Sequence, residues 1–159
     1  MSRYAVLIGE IEHDLIDLQT LAAQTAALMQ KVETTGDNHY LGTVALNLHG
    51  FYSGTERIFR DVALMVDEVL PEGGDWHRRL LRQMATAVPD TRPAVLSKPT
   101  LRVLSELCAF HHVVRNVYTF ELIPQRVTEL AHQLPDVCHA LETDLQSFCQ
   151  FLARINGQG

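Results

Sequence analysis

The chain has 159 residues, of which 47% are hydrophobic and 20% charged. These values exclude intrinsic disorder and suit a single domain spanning 1–159. Lys and Arg number 13 against 19 Asp and Glu, a net charge of −6, which excludes a strongly basic protein that coats nucleic acid but not a local basic site. No apolar run approaches the roughly 18 to 20 residues that a membrane helix needs. The start, Met1-Ser2-Arg3-Tyr4, runs at once into a helical pattern carrying Glu10, Glu12 and Asp14, unlike a secretory leader. A cytoplasmic protein without a membrane segment is expected. Cys108, Cys138 and Cys149 are odd in number and lack paired short spacing, so they read as reduced core thiols.

Helical periodicity dominates from the first residues. Tyr4, Ile8, Ile11, Leu15, Leu18, Ala22, Thr25, Met29 and Val32 recur at steps of three and four, predicting one long helix closed by Gly36-Asp37-Asn38. Leu41, Val44, Leu48, Phe51, Thr55, Ile58, Val62, Met65 and Val69 predict a second, capped by Asp37 or Asn38 and closed by Pro71 with Gly73-Gly74. With so short a connection the two should pack antiparallel. A shorter helix is predicted from Trp76 to about Ala87, with Asp75 as its cap. Pro89, Pro93 and Pro99 then interrupt. That stretch reads as an ordered surface loop anchored by Val95 and Leu96. A fourth helix starts at Thr100, with the stripe Val103, Leu107, Phe110, Val114 and Val117, and stops before Pro124. A fifth carries Val127, Leu130, Leu134, Val137, Leu141, Leu145, Phe148, Leu152 and Ile155, with Pro135 expected to bend or split it. No strand alternation competes, so the expected fold is all-α: an antiparallel bundle of about five helices.

Enzyme templates of the common kinds fail. No Gly-rich phosphate loop follows a strand, and no His-Glu-x-x-His occurs. Glu10 and His13 lack a matching pair on another helix, which argues against a di-iron bundle. His111 and His112 are adjacent and diverge by about 100° on a helix, a poor start for chelation. Neither a metal nor a cofactor is expected. The fourth helix is more telling. His111, Arg115 and Tyr118 share one face; His112, Asn116 and Thr119 share the next. Arg holds phosphate by a forked pair of hydrogen bonds, His exchanges a proton near neutrality, and Asn and Tyr orient oxygens. The same residues also suit structure: Arg115 as ion-pair partner of Glu106 or Glu121, His111 bonded to a backbone carbonyl, Tyr118 as a packing aromatic. On the second helix Asn47, Gly50, Gly54, Arg57 and Asp61 form a face of small and polar residues. It invites close approach of another helix, from this chain or a second copy.

The segments Phe110-His111-His112-Val113-Val114-Arg115-Asn116-Val117-Tyr118 and Leu46-Asn47-Leu48-His49-Gly50-Phe51-Tyr52-Ser53-Gly54-Thr55-Glu56-Arg57-Ile58-Phe59 resemble the HEPN superfamily. Within it they resemble the HepT-like proteins encoded beside minimal nucleotidyltransferases. The resemblance implies a helical bundle that forms a homodimer, with two motif helices meeting in one cleft. It further implies a metal-independent endoribonuclease, the toxin of a toxin–antitoxin pair, acting on RNA. The nucleotidyltransferase antitoxin neutralises such a toxin by moving AMP onto a tyrosine near the motif. Arg115 matches the family's motif arginine and Asn116 the polar residue after it. Phe120 stands where the motif histidine belongs, and Leu122 where the modified tyrosine belongs. Two expectations follow. In one, His111 or His112 supplies the missing imidazole, Arg115 stabilises the charged phosphorane, and Tyr118 is the hydroxyl that accepts AMP. In the other, the chain is a catalytically degenerate module that docks on its nucleotidyltransferase.

Overall fold

A computed structural model describes residues 3–116 and 124–157. Its elements are α1 (Ala5–Thr35), α2 (Tyr40–Val62) running into a π-helical turn (Ala63–Asp67), α3 (Trp76–Met84), α4 (Lys98–Asn116) and α5 (Pro124–Asn156). The fold is an all-α helical bundle. No helix of the described residues is long and apolar enough to cross a membrane.

The apolar stripes account for the packing. Leu7, Ile11, Leu15, Leu18, Ala22, Thr25, Met29 and Val32 form the buried face of α1, which lies along α2 and α5. Each large apolar side chain so buried contributes about 1.5–3 kcal/mol against the entropy of ordering the chain. Gly36 ends α1 with φ of 68° and donates its N–H to the Val32 carbonyl, a left-handed cap that a residue with a Cβ adopts only with strain. Helix α2 is central and touches every other helix. Neither Asp37 nor Asn38 is its cap residue. The helix starts after His39, whose own N–H and ring Nδ1 bond to the Asp37 carboxylate at 2.9 and 2.6 Å.

Further expectations need correction. Met65 and Val69 do not continue the α2 stripe; they are 42% and 63% exposed. The wider π-helical turn rotates the chain there. Val66 stays in the core, and the Asp67 carboxylate is turned inward with 4% of its side chain exposed. Helix α3 stops at Met84 rather than near Ala87, because its last carbonyls are claimed by the following loop. Met84 O accepts the N–H groups of Val95 and Leu96 at 2.8 and 3.1 Å, and Gln83 O accepts from Arg92 at 3.1 Å. Pro135 does not split α5, which runs unbroken from Pro124 to Asn156. The proline sits on the exposed side, while Leu134, Val137 and Cys138 beside it hold the buried register. An interior proline costs about 3 kcal/mol, offset here by eleven buried α5 residues. Helix α4 starts two residues before Thr100, at Lys98, where Pro99 fits the first turn.

The loop after α3 is ordered as expected, with Val95 and Leu96 both 2% exposed. Its strongest anchor is Arg92. Its guanidinium, fully buried, forks onto Asp67 with Nε–Oδ1 of 2.6 Å and Nη2–Oδ2 of 2.7 Å. It also donates to the carbonyls of Thr86 and Pro93 at 2.9 and 3.0 Å. The small-residue face of α2 is met by α1 of the same chain. A Cβ on Gly54 would stand 2.9 Å from Leu18 Cδ2, and Gly50 faces Leu21 at 3.6 Å. Arg57 reaches Asp14 at 3.4 Å. The three cysteines are free and buried, and burial raises the pKa of all three thiols.

Candidate active site

Helices α2, α3 and α4 converge on a polar cluster set into the core. From α2 come His49, Tyr52, Ser53 and Glu56, a second stripe at steps of three and four beside the apolar one. From α3 comes His77, and from α4 Cys108 and His111. His111 is 7% exposed. Its ring lies flat on His49, with centroids 4.1 Å apart and planes 6° apart, and its Nε2 is 3.0 Å from Ser53 Oγ. The rings of Tyr52 and His77 stand 5.1 and 6.0 Å from it. His77 Nδ1 is 2.6 Å from Glu56 Oε2, with 13% and 10% of the two side chains exposed. A carboxylate only accepts, so Nδ1 carries the proton and donates it.

Two polar atoms in this cluster lack a well-formed hydrogen bond: His49 Nδ1 and the Tyr52 hydroxyl. The hydroxyl lies beside the Cys108 thiol and the Glu56 carboxylate. Burial first, then those two neighbours, raise the Tyr52 phenol far above its ordinary range, so it stays protonated. Buried polar atoms with incomplete hydrogen bonding are costly and uncommon. Their gathering on one side of the bundle marks a place where packing has been sacrificed to polar chemistry.

The cluster opens to solvent through a cleft of about 390 Å³ between α3 and α4. His77, Arg78, His111 and His112 line it, together with Asp75 and Cys108. A second groove of about 400 Å³ shares Arg78, Cys108 and Ala109 and is also lined by Arg82 of α3 and Ser105 of α4. Arg78 and Arg82, one helical turn apart, stand exposed above these two hollows, and neither is ion-paired among the described residues. The track is therefore locally cationic on a chain of net charge −6.

Of the residues singled out in the sequence, His111 and His112 line this cleft. They differ in burial: His111 is buried and His112 exposed. Arg115 and Asn116 close the described part of α4, one turn beyond them. The side chains of Arg115 and Asn116, and Tyr118, Phe120 and Leu122 entirely, lie outside the described residues, as does Glu121. Glu106 is 3.9 Å from Arg126.

The family model of the HepT-like proteins matches residues 43–152, from the start of α2 to the last turns of α5. The chain belongs to the HepT-like family. No curated protein and no solved structure matches it. The matched span contains every residue of the cluster, both grooves and the Arg115-Asn116 segment. In this HepT-like protein, sequence reasoning missed His49, Ser53, Glu56 and His77. The signal was there for three of them. His49, Ser53 and Glu56 step by four and three along α2, one position off the core stripe, where a solvent face would carry Lys or Gln. Nothing in the sequence pairs His77 with Glu56, since their separation of 21 residues is bridged only by the fold.

Proposed function

We propose that this HepT-like protein is the toxin of a toxin–antitoxin pair: a cytoplasmic, metal-independent endoribonuclease that works as a homodimer. The observation that carries the reading is the cationic, imidazole-lined cleft on the helix that bears Arg115, within a chain matched to the family over residues 43–152. General acid–base chemistry suffices for such cleavage. An imidazole of the cleft, His111 or His112, takes the ribose 2′-hydroxyl proton, and the 2′-oxygen attacks the adjacent phosphorus. Arg115 stabilises the charge on the phosphorane and Asn116 orients its oxygens. The products carry a 2′,3′-cyclic phosphate and a free 5′-hydroxyl. The cognate nucleotidyltransferase silences the toxin by transferring AMP to Tyr118, which sets a phosphate against Arg115 and blocks the cleft.

The test is cleavage of end-labelled RNA by the purified chain in excess chelator. The expected result is a cyclic phosphate end, with Arg115→Ala slower by about 100-fold or more. Equal cleavage by wild type and Arg115→Ala would overturn the assignment. Phe120 at the motif histidine position favours a second reading, a non-cleaving module that docks on the nucleotidyltransferase. Wild type that binds this partner tightly yet leaves RNA intact would establish it. Intact mass after coexpression with the partner and ATP reads the AMP transfer, and Tyr118→Phe should abolish the added mass.

A further inference from the structure

We propose that the groove lined by Arg78, Arg82, Leu101 and Ser105 is a nucleotide subsite, which holds the RNA strand to one side of the bond that is cut. The inference takes its ligand from the ribonuclease reading, on which it rests, and adds the path of the strand. The groove has a volume of about 400 Å³ and meets the imidazole-lined cleft along a shared wall of Arg78, Cys108 and Ala109. Its apolar lining is anchored in the core: Leu81 and Cys108 are buried, and Leu101 packs against the same cluster. Its rim is cationic. Helices α3 and α4 carry Arg78, Arg79, Arg82, Lys98, Arg102 and Arg115 against one acidic residue, Glu106, which lies 3.9 Å from Arg126. Asp75, just before α3, lines the first cleft and not this groove. Arg78 and Arg82 are exposed on successive turns of α3. Lys98 and Arg102 are exposed on α4, on the line that Ser105 and Ala109 continue at steps of four and three. None of these four cations is ion-paired among the described residues.

An apolar floor under a guanidinium rim suits a nucleotide better than either of its parts. The base covers the floor while its phosphate takes a forked pair of hydrogen bonds from arginine. A bare phosphate leaves the floor in water, and an apolar ligand leaves the guanidinia without a counter-charge. Ser105 adds an acceptor. Its hydroxyl donates to the Leu101 carbonyl at 2.7 Å, so its oxygen keeps lone pairs for a base N–H or a ribose hydroxyl. Ser105 and His112, which line the two hollows, stand seven positions apart on α4, or about 10 Å along its axis. A strand advances about 3.4 Å per nucleotide when stacked and further when extended, so the subsite lies roughly two or three nucleotides from the reacting bond.

The experiment titrates the full chain against a labelled single-stranded 2′-O-methyl RNA of ten or so nucleotides, which lacks the attacking hydroxyl and cannot be cut. Fluorescence anisotropy is read over a range of salt concentrations. Arg82 and Ser105 are exposed on their helices, so Arg82→Ala, Arg82→Lys, Ser105→Glu and Ser105→Gln keep the fold. Arg82→Ala should bind about fivefold more weakly at low salt and lower the slope of log affinity against log salt by about 0.7, the loss of one phosphate contact. Arg82→Lys keeps the charge and should recover that slope. Ser105→Glu sets a carboxylate in the groove and should weaken binding more than about tenfold, well beyond its neutral counterpart Ser105→Gln. Inorganic polyphosphate of matched charge should displace the labelled strand about tenfold less effectively than unlabelled RNA, because it leaves the apolar floor uncovered. Binding that Arg82→Ala and Ser105→Glu leave at the wild-type level overturns this inference alone. Equal displacement by polyphosphate overturns the nucleotide assignment, and a wild-type chain that fails to bind at low salt overturns the subsite altogether. Cleavage of unmodified RNA is scored separately in excess chelator. Binding with the expected dependence on Arg82 and Ser105, but without cleavage, overturns the ribonuclease reading and leaves the subsite standing.

Discussion

Arg92 offers the sharpest test of the packing argument. Replacing it with Ala strips a fully buried guanidinium from Asp67, whose side chain is only 4% exposed. It also takes a donor from the carbonyls of Thr86 and Pro93 and from that of Gln83, which keeps the Thr86 N–H at 3.2 Å. Gln83 Nε2 still reaches Asp67 at 2.8 Å, so the carboxylate keeps one neutral partner but no counter-charge. Breaking a buried pair from one side costs about 3–5 kcal/mol. For a chain of this size each kcal/mol moves the midpoint by about 2–4 °C, so Arg92→Ala should melt roughly 6–20 °C below wild type. Urea and thermal unfolding followed by circular dichroism measure both quantities. The double change Arg92→Met with Asp67→Leu should recover more than half of the loss, because it removes the stranded charge as well as its partner. A cost for Arg92→Ala below about 1 kcal/mol would refute the claim that this pair anchors the loop. A double variant no better than the single one would refute the charge argument behind it.

Three other outcomes follow from particular neighbours. Gly42→Ala meets open space and Gly54→Ala meets Leu18 at 2.9 Å; the first should stabilise by about 0.5–1 kcal/mol from helix propensity. The second should lose that gain to crowding and come out neutral or destabilised by up to about 2 kcal/mol, which paired urea melts would show. Asp61 is raised above its ordinary pKa, first by burial and then by Glu10 and Asp14. Its folded form therefore binds a proton more readily than the unfolded chain, and stability falls as pH climbs through the raised value. Asp61→Asn should be slightly more stable at neutral pH, by no more than about 0.5 kcal/mol, and the difference should vanish in acid and shrink with salt; a variant less stable than wild type at pH 7 would contradict this. Arg82 flanks the second groove, beyond the imidazoles. Arg82→Ala should raise KM for RNA of ten or so nucleotides several-fold at low salt, yet leave kcat and the cleavage of a dinucleotide unchanged; an equal effect on both substrates would place Arg82 at the reacting bond instead.

The helical stripes were readable because their spacing is a local property. Every α5 position assigned to the core is buried except Ile155, which is half-buried. The errors arose where a single residue changes the phase or where a distant group intervenes. Met65 and Val69 fit the α2 periodicity, but the π-helical turn shifts it by a fraction of a turn. Helix α3 ends early because Val95, Leu96 and Arg92 compete for its carbonyls from more than eight residues away. The site was legible in part. His111 and His112 sit in the cleft, yet spacing within α4 could not reveal that His111 faces Ser53, which lies 58 residues earlier. Arg92 carries no local signal within its proline-rich loop; only the fold supplies the carboxylate that explains its burial.

Helix α3 has nine residues, too few to persist in water alone. It is tied down on every side. Arg79 reaches the Glu72 carbonyl, Arg60 lies over the Trp76 ring, His77 binds Glu56, and Gln83 binds Asp67. The wall that presents His77 and Arg78 is thus a fixed jaw rather than a hinged one. Its conformational entropy is spent during folding, before any ligand arrives. On the proposed ribonuclease reading, choice among RNAs then comes from the strand's own suppleness: a single strand that can bend its sugar–phosphate chain into a narrow slot would be accepted, and a stiff duplex turned away.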